Sequence, residues 1–224
     1  MPKLMKFIKK KTEKQLINDF ISHFKNLSRK KESLNKRLTF VLTGGKSPIN
    51  LYKSLAIAEI NWKNIDLFWG DERFVSLKSK NSNYNLVKKY LLNKINIKKK
   101  NIYIINTNKK NVFSSAIDYE NKIRSYFKNK KLSFDLVLLG MGLDGHIASL
   151  FPSNITLNKN KIVSSVLRKD FKRVTLNLKI INNSRQIALW LNVKKTSTVY
   201  QKIKNNKQMP VNYLNKKKLI VFSL

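Results

Sequence analysis

The sequence predicts an α/β protein with an open, mainly parallel sheet, helices on both faces of that sheet and a more β-rich C-terminal third. Three observations support this class. Short, almost wholly apolar runs alternate with amphipathic helical patterns along the first two thirds of the 224 residues. Such runs are typical of parallel strands that are buried on both faces. The last third contains several closely spaced β-type runs, and no repeat or Gly/Ser-rich linker divides the chain. We therefore expect one domain over residues 1–224.

The first elements follow from local patterns. A helix is expected at 13–27, where apolar residues recur at helical spacing. A β-rich strand is expected at 37–43, directly before two consecutive glycines. Ser47 followed by Pro48 is a typical pair for an N-cap and a first helical position, so this pair predicts a helix that runs to about residue 55.

The rest of the chain continues the alternation and then changes character. The middle predicts a strand at 65–69, a capped helix at 82–92, a strand at 101–106, a helix at 114–127 and a strand at 134–140. The last third has β-type runs at 161–167, 173–181 and 186–192, a helix near 195–204 and a final strand at 218–223. This order favours βα units first and additional strands later.

Charge and composition restrict the function classes. Lys and Arg total 47 against 12 Asp and Glu, a formal charge of +35 that attracts anionic substrates. The lysines are spread over every predicted element, so we attribute them to compositional drift and expect no specific nucleic-acid partner. Cysteine is absent, which excludes disulfides and thiolate chemistry. No signal-peptide pattern and no apolar run of about 18 residues is present, so we expect a cytoplasmic protein without membrane segments.

Two polar loops follow predicted strands at the edge where open α/β sheets bind ligands. In the first, Gly44 and Gly45 let backbone N–H groups approach an anion, and Ser47 opens the following helix. The alternative is an ordinary strand-to-helix turn. In the second, Asp71 and Arg73 lie two residues apart, so an extended chain would present both on one side. Arginine suits phosphate or carboxylate; the alternative is a surface ion pair.

A third loop, in FDLVLLGMGLDGHIASLFP, has three glycines in the G-x-G-x-x-G spacing of dinucleotide sites. A dinucleotide loop begins a crossover helix of about ten residues or more, but Pro152 follows the third glycine by seven residues. We therefore interpret the loop as presenting His146 at the start of a short helix, near Asp144. An unperturbed imidazole titrates at about pH 6.5, so neutral His146 would take a proton from water while Asp144 fixes its tautomer. The alternative is a capping or packed histidine.

Together these motifs resemble the glucosamine-6-phosphate isomerase/6-phosphogluconolactonase family. The resemblance runs through LTGGKSPINLYKSL, GDERFV with SNYNLV, the glycine-rich third loop and KRVTLNL, in family order over most of 37–180. It implies a Rossmann-like α/β sheet, no metal, no cofactor, and hydrolysis of 6-phospho-D-glucono-1,5-lactone to 6-phosphogluconate in the pentose phosphate pathway. The sequence departs from the family where Lys46 and Ile147 replace the usual residues.

The resemblance also implies roles for the candidate residues. His146, supported by Asp144, is the general base that activates water for attack on the lactone. The phosphate and sugar ligands implied by the match are Gly44, Gly45, Ser47, Asp71, Arg73 and Arg173. Lys46 and Lys172 are further cations nearby. The expected partner is a small sugar-phosphate lactone, bound by a monomer or a homodimer.

Two alternatives remain open at this point. The isomerase and deaminase branch of the family moves protons at carbon with carboxylates, but residues 149–152 read Ser-Leu-Phe-Pro and offer no Glu. Residues 71–73 also read Asp-Glu-Arg, unlike the Asp-Glu-Tyr of that branch. The other alternative is a basic nucleic-acid-binding protein on a decayed enzyme scaffold, which predicts salt-sensitive affinity for DNA or RNA.

Overall fold

A sheet of seven strands forms the centre of the molecule. This computed structural model describes residues 5–154, 161–206 and 208–224. The expectation of no signal peptide concerns in part residues 1–4, which lie outside the described residues. The strands are β1 Lys6–Lys9, β2 Leu38–Leu42, β3 Ile65–Trp69, β4 Asp71–Arg73, β5 Ile102–Tyr103, β6 Leu136–Leu139, β7 Val163–Val166, β8 Arg173–Leu176, β9 Gln186–Leu191 and β10 Leu219–Ser223. The helices are α1 Glu13–Glu32, α2 Ile49–Ile57, α3 Asn83–Tyr90, α4 Val112–Tyr126, α5 Leu178–Asn183 and α6 Lys194–Ile203.

The topology of the large sheet places a crevice between two neighbouring strands. Its order is β1–β10–β9–β6–β2–β3–β5, and every neighbouring pair is parallel. The predicted α/β class with a mainly parallel sheet is therefore confirmed. From β2 the chain proceeds outward to β3 and β5 on one side, and from β6 to β9 and β10 on the other. Ligands of open α/β sheets bind at such a reversal point, beyond the carboxyl ends of the strands.

A second sheet of three antiparallel strands, in the order β4–β8–β7, lies beside that crevice. It begins one residue after β3. The backbone of Gly70 connects the two sheets, since its N–H donates to the carbonyl of Leu42 at 2.9 Å and its carbonyl accepts from the N–H of Leu176 at 2.8 Å. The small sheet therefore starts at the carboxyl edge of the large one.

Helix α1 packs over the large sheet through aromatic side chains. The ring of Phe24 lies 4.8 Å from that of Phe40 on β2, and the ring of Phe20 lies 5.3 Å from that of Phe222 on β10. Such aromatic pairs contribute about 0.5–1.5 kcal/mol each beyond the burial of their area. Because β2 and β10 lie on opposite sides of β6, the helix stabilises both halves of the sheet.

Two predicted strand regions are shorter than expected. The strand predicted at 101–106 is limited to Ile102–Tyr103. Beyond it, the carbonyls of Ile104 and Asn106 accept hydrogen bonds from side chains of α4 at 3.0 and 2.7 Å instead of pairing with a strand. The β-type run 173–181 divides into strand β8 and helix α5. Two adjacent isoleucines of that helix are both buried, whereas the alternation of a strand would expose one of them.

Several other local predictions need correction. The helix predicted at 13–27 continues to Glu32, and the edge strand β1 was not predicted because a four-residue, mostly exposed strand has little apolar signal. The segment after His146 is not a short helix: Ile147 forms isolated antiparallel bridges with Met141 and Leu150, which is a tight turn. Among the described residues, no helix combines the length and apolarity that a membrane crossing requires.

Candidate active site

The three polar loops surround one cavity at the crevice between β2 and β6. The cavity has a volume of about 180 Å³. Most predicted site residues line it, namely Gly44, Gly45, Ser47, Asp71, Arg73, His146 and Arg173. The remaining one, Asp144, bonds to His146 at the edge of the cavity. Lys46 also belongs to the lining, whereas Lys172 does not.

The two glycines after β2 are required for different reasons. A Cβ on Gly44 would lie 1.9 Å from Oδ1 of Asn83, so a larger residue would displace that side chain. Gly45 has open space around it but a φ of +81°, in the left-handed region that favours glycine. The loop thus combines close packing at its first glycine with a turn at its second.

Ser47 does not cap α2, contrary to the prediction. The helix begins at Ile49 after Pro48, and no side chain caps its N-terminus. The Oγ of Ser47 instead donates to Oδ1 of Asn192, a residue that follows β9 at the same edge of the sheet. The amide of Asn192 also donates to the Ser47 carbonyl at 2.9 Å. Tertiary contact with a neighbouring strand end therefore replaces the expected local cap.

Two arginines face each other across the small sheet. Arg73 of β4 and Arg173 of β8 are directly paired in the antiparallel register, and both line the cavity. Like charges directly opposite each other destabilise a sheet. The ring of Phe171 lies close to both, with its centroid 6.0 Å from one guanidinium and 5.9 Å from the other. Such a pair is suited to an anion that contacts both cations.

The charge of Arg173 is already balanced in part. Its Nη2 atom lies 2.5 Å from Oδ2 of Asp170, a carboxylate that is 49% exposed. Slight burial alone would raise the pKa of the Asp170 carboxyl, but the backbone N–H of Phe171 and the charge of Arg173 hold that pKa below its ordinary value. An anion entering the cavity would therefore share Arg173 with a carboxylate.

Asp71 connects the loops instead of pairing with Arg73. Its Oδ2 accepts from Oγ of Ser149 at 2.6 Å, and its Oδ1 accepts from Nδ2 of Asn83 at 3.1 Å. The sequence predictions missed Ser149 and Asn83, although both line the cavity. Neither has a local signal, because a polar residue in a turn or a first helical turn is ordinary at a protein surface. Only the tertiary fold brings them to Asp71.

His146, which lines the cavity, forms a close pair with Asp144. The Nδ1 atom of His146 lies 2.5 Å from Oδ1 of Asp144, so Nε2 is the nitrogen left to exchange a proton. Partial burial would raise the pKa of the Asp144 carboxyl, but its hydrogen bond and charge interaction with His146 hold that pKa below its ordinary value. Within the described residues, no group of three or more His, Asp or Glu side chains is arranged to bind a metal ion.

Two buried tyrosines, also missed by the sequence predictions, hold the strand ends from which the first two loops begin. The hydroxyl of Tyr52 accepts from the N–H of Thr43 at 3.1 Å and donates to its carbonyl at 2.6 Å. The hydroxyl of Tyr119 makes the same two bonds with Trp69, at 2.8 and 2.9 Å. Complete burial raises the pKa of both phenols, so both remain neutral donors.

Comparison with known proteins agrees with this architecture. The family model of the glucosamine-6-phosphate isomerases/6-phosphogluconolactonase matches residues 11–222. The chain belongs to this family. Among curated relatives, a 6-phosphogluconolactonase of Synechocystis is 36% identical over 154 residues, which cover 67% of this chain and 64% of that protein. The chain thus matches slightly less than two thirds of the length of that relative. One from Haemophilus influenzae is 33% identical over 163 residues, 69% of this chain and 68% of that protein.

Two solved structures match the fold of this chain over almost its whole length. The 6-phosphogluconolactonase of Thermotoga maritima has a TM-score of 0.85 at 26% identity, covering 96% of this chain and 97% of that one. A 6-phosphogluconolactonase from Shewanella baltica has a TM-score of 0.84 at 25% identity, covering 100% and 99%. Both the large parallel sheet and the small antiparallel sheet therefore lie within the part of the chain that these structures match.

Proposed function

We propose that this protein hydrolyses 6-phospho-D-glucono-1,5-lactone to 6-phosphogluconate. One observation carries the proposal: a single cavity is lined both by His146, which pairs with Asp144, and by the cross-strand arginines Arg73 and Arg173. This arrangement supplies a base for water and cations for a phosphate. The names of the relatives and of the matching structures support the same substrate.

The phosphate end of the substrate is assigned to the arginine side of the cavity. Arginine offers planar pairs of N–H donors that match phosphate oxygens. The backbone N–H groups of Gly44 and Gly45, next to the N-terminus of α2, add donors and a partial positive charge. Ser47 would join this set once its hydroxyl turned from Oδ1 of Asn192 to the phosphate. Asp71 retains acceptor capacity for a sugar hydroxyl, since its carboxylate oxygens have more lone pairs than their bonds to Ser149 and Asn83 use.

The hydrolytic step is assigned to the histidine side. As the water oxygen attacks the C1 carbonyl carbon, Nε2 of His146 takes the proton that the water loses, and Asp144 stabilises the imidazolium. The negative charge on the carbonyl oxygen is stabilised by nearby N–H donors or a cation. The intermediate then collapses, the bond from C1 to the ring oxygen breaks, and that oxygen takes the proton from the imidazolium. The products are a free hydroxyl and a carboxylic acid, which releases its proton to solvent and becomes the carboxylate.

The isomerase chemistry of the family has less support from this cavity. Moving protons between carbon atoms requires carboxylates that are free to accept them. Among the described lining residues, Asp71 is the one carboxylate, so a set of several such groups is not found there. Ester hydrolysis needs only a base for water, which His146 supplies.

The decisive experiment replaces each of the two histidines separately. His146→Ala is expected to remove most of the enzymatic rate of acid release from freshly generated lactone, after subtraction of spontaneous hydrolysis, because a positioned base contributes about 10²–10⁴-fold. His23→Ala is the matched control. His23 is half-buried and shares a hydrogen bond of 2.7 Å with Oε1 of Gln186, the first residue of β9, which lies at the edge of the sheet opposite the cavity. An unchanged rate in His146→Ala would refute the assigned base.

A second experiment tests the phosphate assignment. Arg73→Ala is expected to raise KM for the phosphorylated lactone by about tenfold or more, since a hydrogen bond to a charged group contributes about 1.5–3 kcal/mol. Arg29→Ala, on the exposed side of α1, changes the net charge equally and should leave KM within about twofold. Equal turnover of the phosphorylated and phosphate-free lactones by the unmodified protein would contradict the assignment.

A further inference from the structure

The guanidinium of Arg73 is held by neutral groups. Its Nη1 atom donates to the backbone carbonyl of Asn81 at 3.0 Å and to Oδ1 of Asn83 at 3.2 Å. No carboxylate oxygen of the described residues lies within 4.0 Å of it. Arg173, its cross-strand neighbour, is paired with Asp170 instead. Arg73 is therefore the arginine of the cavity whose charge remains available to an anion.

The amide of Asn83 has one orientation that satisfies its neighbours. Its Nδ2 atom donates to the backbone carbonyl of Asp71 at 3.0 Å and to the Asp71 carboxylate at 3.1 Å. Its Oδ1 is thereby directed to Arg73, where an NH₂ group would meet the donors of the guanidinium. The side chain is 2% exposed and lies against the backbone at Gly44. One neutral residue thus contacts the glycine loop, the carboxylate and the arginine.

A buried carboxylate fixes the backbone of Asn83. The N–H of Asn83 donates to Oε1 of Glu72 at 2.7 Å, and the N–H of Tyr84 donates to Oε2 at 2.7 Å. Ser82, the N-cap of α3, donates its hydroxyl to the same carboxylate at 3.0 Å. The first turn of α3 is therefore attached to β4, and the position of the Asn83 amide is determined by the fold before any ligand arrives.

We propose that Asn83 is a positioning residue that gives the site its selectivity for a phosphorylated substrate. It orients Arg73 and Asp71 through hydrogen bonds while leaving the charge of Arg73 uncancelled for the phosphate. This role rests on the proposed function for its substrate. The electrostatic part of the role is that the neutral amide of Asn83 leaves the charge of Arg73 available to phosphate. This part can be tested with phosphate alone, without hydrolysis of the lactone.

The isosteric variant Asn83→Asp separates neutrality from shape. The new carboxylate would form an ion pair with Arg73 and would face the carboxylate of Asp71. The substitution also removes the two N–H donors of the Asn83 amide. Each effect weakens the binding of an anion without changing the size of the side chain. Asn85→Asp is the matched control on the same helix, because the amide of Asn85 donates only to the carbonyls of Lys78 and Ser79 and does not line the cavity.

Two measurements test the role. Titration calorimetry with inorganic phosphate at constant ionic strength should give a Kd about tenfold or more higher for Asn83→Asp than for the unmodified protein, and about the same Kd for Asn85→Asp. Steady-state kinetics should show KM for the phosphorylated lactone raised to a similar extent, with kcat within about threefold. For the phosphate-free lactone, which lacks the group that Arg73 binds, kcat/KM should fall by a smaller factor than for the phosphorylated lactone.

Each outcome decides the question. Unchanged phosphate affinity in Asn83→Asp, or an equal loss of kcat/KM on both lactones, would overturn the proposed role. If Asn83→Asp does not fold, Asn83→Ala must raise the Kd for phosphate by about threefold or more, and an unchanged Kd would overturn the role in the same way. An unmodified protein that binds phosphate through Asn83 but does not hydrolyse the lactone would refute the proposed function and leave this inference in place.

Discussion

Replacement of Glu72 by glutamine tests how the small sheet and α3 are held together. The Glu72 side chain is 1% exposed. Its Oε1 accepts from the backbone N–H groups of Arg73 and Asn83 at 2.8 and 2.7 Å, and its Oε2 accepts from Ser82 and Tyr84 at 3.0 and 2.7 Å. Two opposing effects therefore act on the charge of the Glu72 carboxyl. Burial disfavours its charge, whereas four donors favour it.

The balance of these effects sets a dependence of stability on pH. Burial raises the pKa of the Glu72 carboxyl from 4.5 to about 7, and the N–H groups of Tyr84 and Asn83 offset only part of that increase. Between these values the folded protein keeps a proton that the unfolded chain releases. The contribution of Glu72 to the free energy of unfolding therefore falls as pH rises through this window and levels off above about pH 7. At about 1.4 kcal/mol per pKa unit, the loss is about 3 kcal/mol.

Glu72→Gln removes this dependence because an amide does not titrate. At about pH 5, where Glu72 is protonated in the folded state, the variant should have nearly the same free energy of unfolding as the unmodified protein. At about pH 8 the variant should be the more stable of the two, by as much as about 3 kcal/mol. It should nevertheless bind the phosphorylated lactone less tightly, since its NH₂ group faces backbone donors that place Asn83 and Arg73.

Urea denaturation at matched ionic strength, at steps between about pH 5 and about pH 8, measures the difference. Glu59→Gln is the control, because the Glu59 side chain is 94% exposed and its contribution should vary by only a few tenths of a kcal/mol. A variant that becomes less stable than the unmodified protein as pH rises would show that the four hydrogen bonds outweigh the cost of burying the charge. That result would refute the reasoning.

Three further predictions address the site. Gly44→Ala places a Cβ 1.9 Å from Oδ1 of Asn83 and should displace that side chain. Calorimetry should then show a phosphate affinity lowered by about tenfold, and urea denaturation should show a loss of stability of about 1–3 kcal/mol. An unchanged phosphate affinity would contradict the contact. Asp144→Asn removes the ion pair between Asp144 and His146. The Asp144 side chain is 52% exposed, so the pair is weak and kcat should fall by only about three- to tenfold. A loss of about 10⁴-fold would contradict a weak interaction. Tyr119→Phe leaves buried backbone groups of β3 unpaired, and urea denaturation should show a loss of about 1–3 kcal/mol; an unchanged midpoint would exclude this role.

The parts of the fold that the sequence predicts are those where burial alone determines the pattern. All residues of β2, β3 and β6 are buried, and all except Thr39 and Asp66 are apolar, so nearly continuous apolar runs mark these strands. The capped start of α3 is also predictable, since the side chain of Ser82 accepts from the nearby N–H of Asn85 at 3.1 Å. In contrast, β4 is a strand of three polar residues that exists only because β8 pairs with it.

The residues of the candidate site also divide into those that the sequence predicts and those that it does not. Residues with chemical signatures, such as Arg73 and His146, are visible in the sequence because glycines and charged groups cluster after apolar strands. Asn83, Ser149 and Asn192 are not, because each contributes through contacts with residues that are distant in the chain. Their side chains are common on protein surfaces, and only their burial or bonding in the fold distinguishes them.

The glycine-rich third loop shows that the same G-x-G-x-x-G spacing can satisfy different physical requirements. A Cβ on Gly140 would have only the Oγ1 of Thr43 nearby, at 3.9 Å, so no close contact demands a glycine there. A Cβ on Gly142 would lie 2.1 Å from Nδ1 of His146, and Gly145 has a φ of +76°. The last two glycines are therefore required by a tight turn and by the imidazole that packs on it. In a dinucleotide site the same spacing serves a pyrophosphate and a long helix. In the proposed site the group that acts on the substrate is the side chain of His146, and this role needs no long helix after the loop.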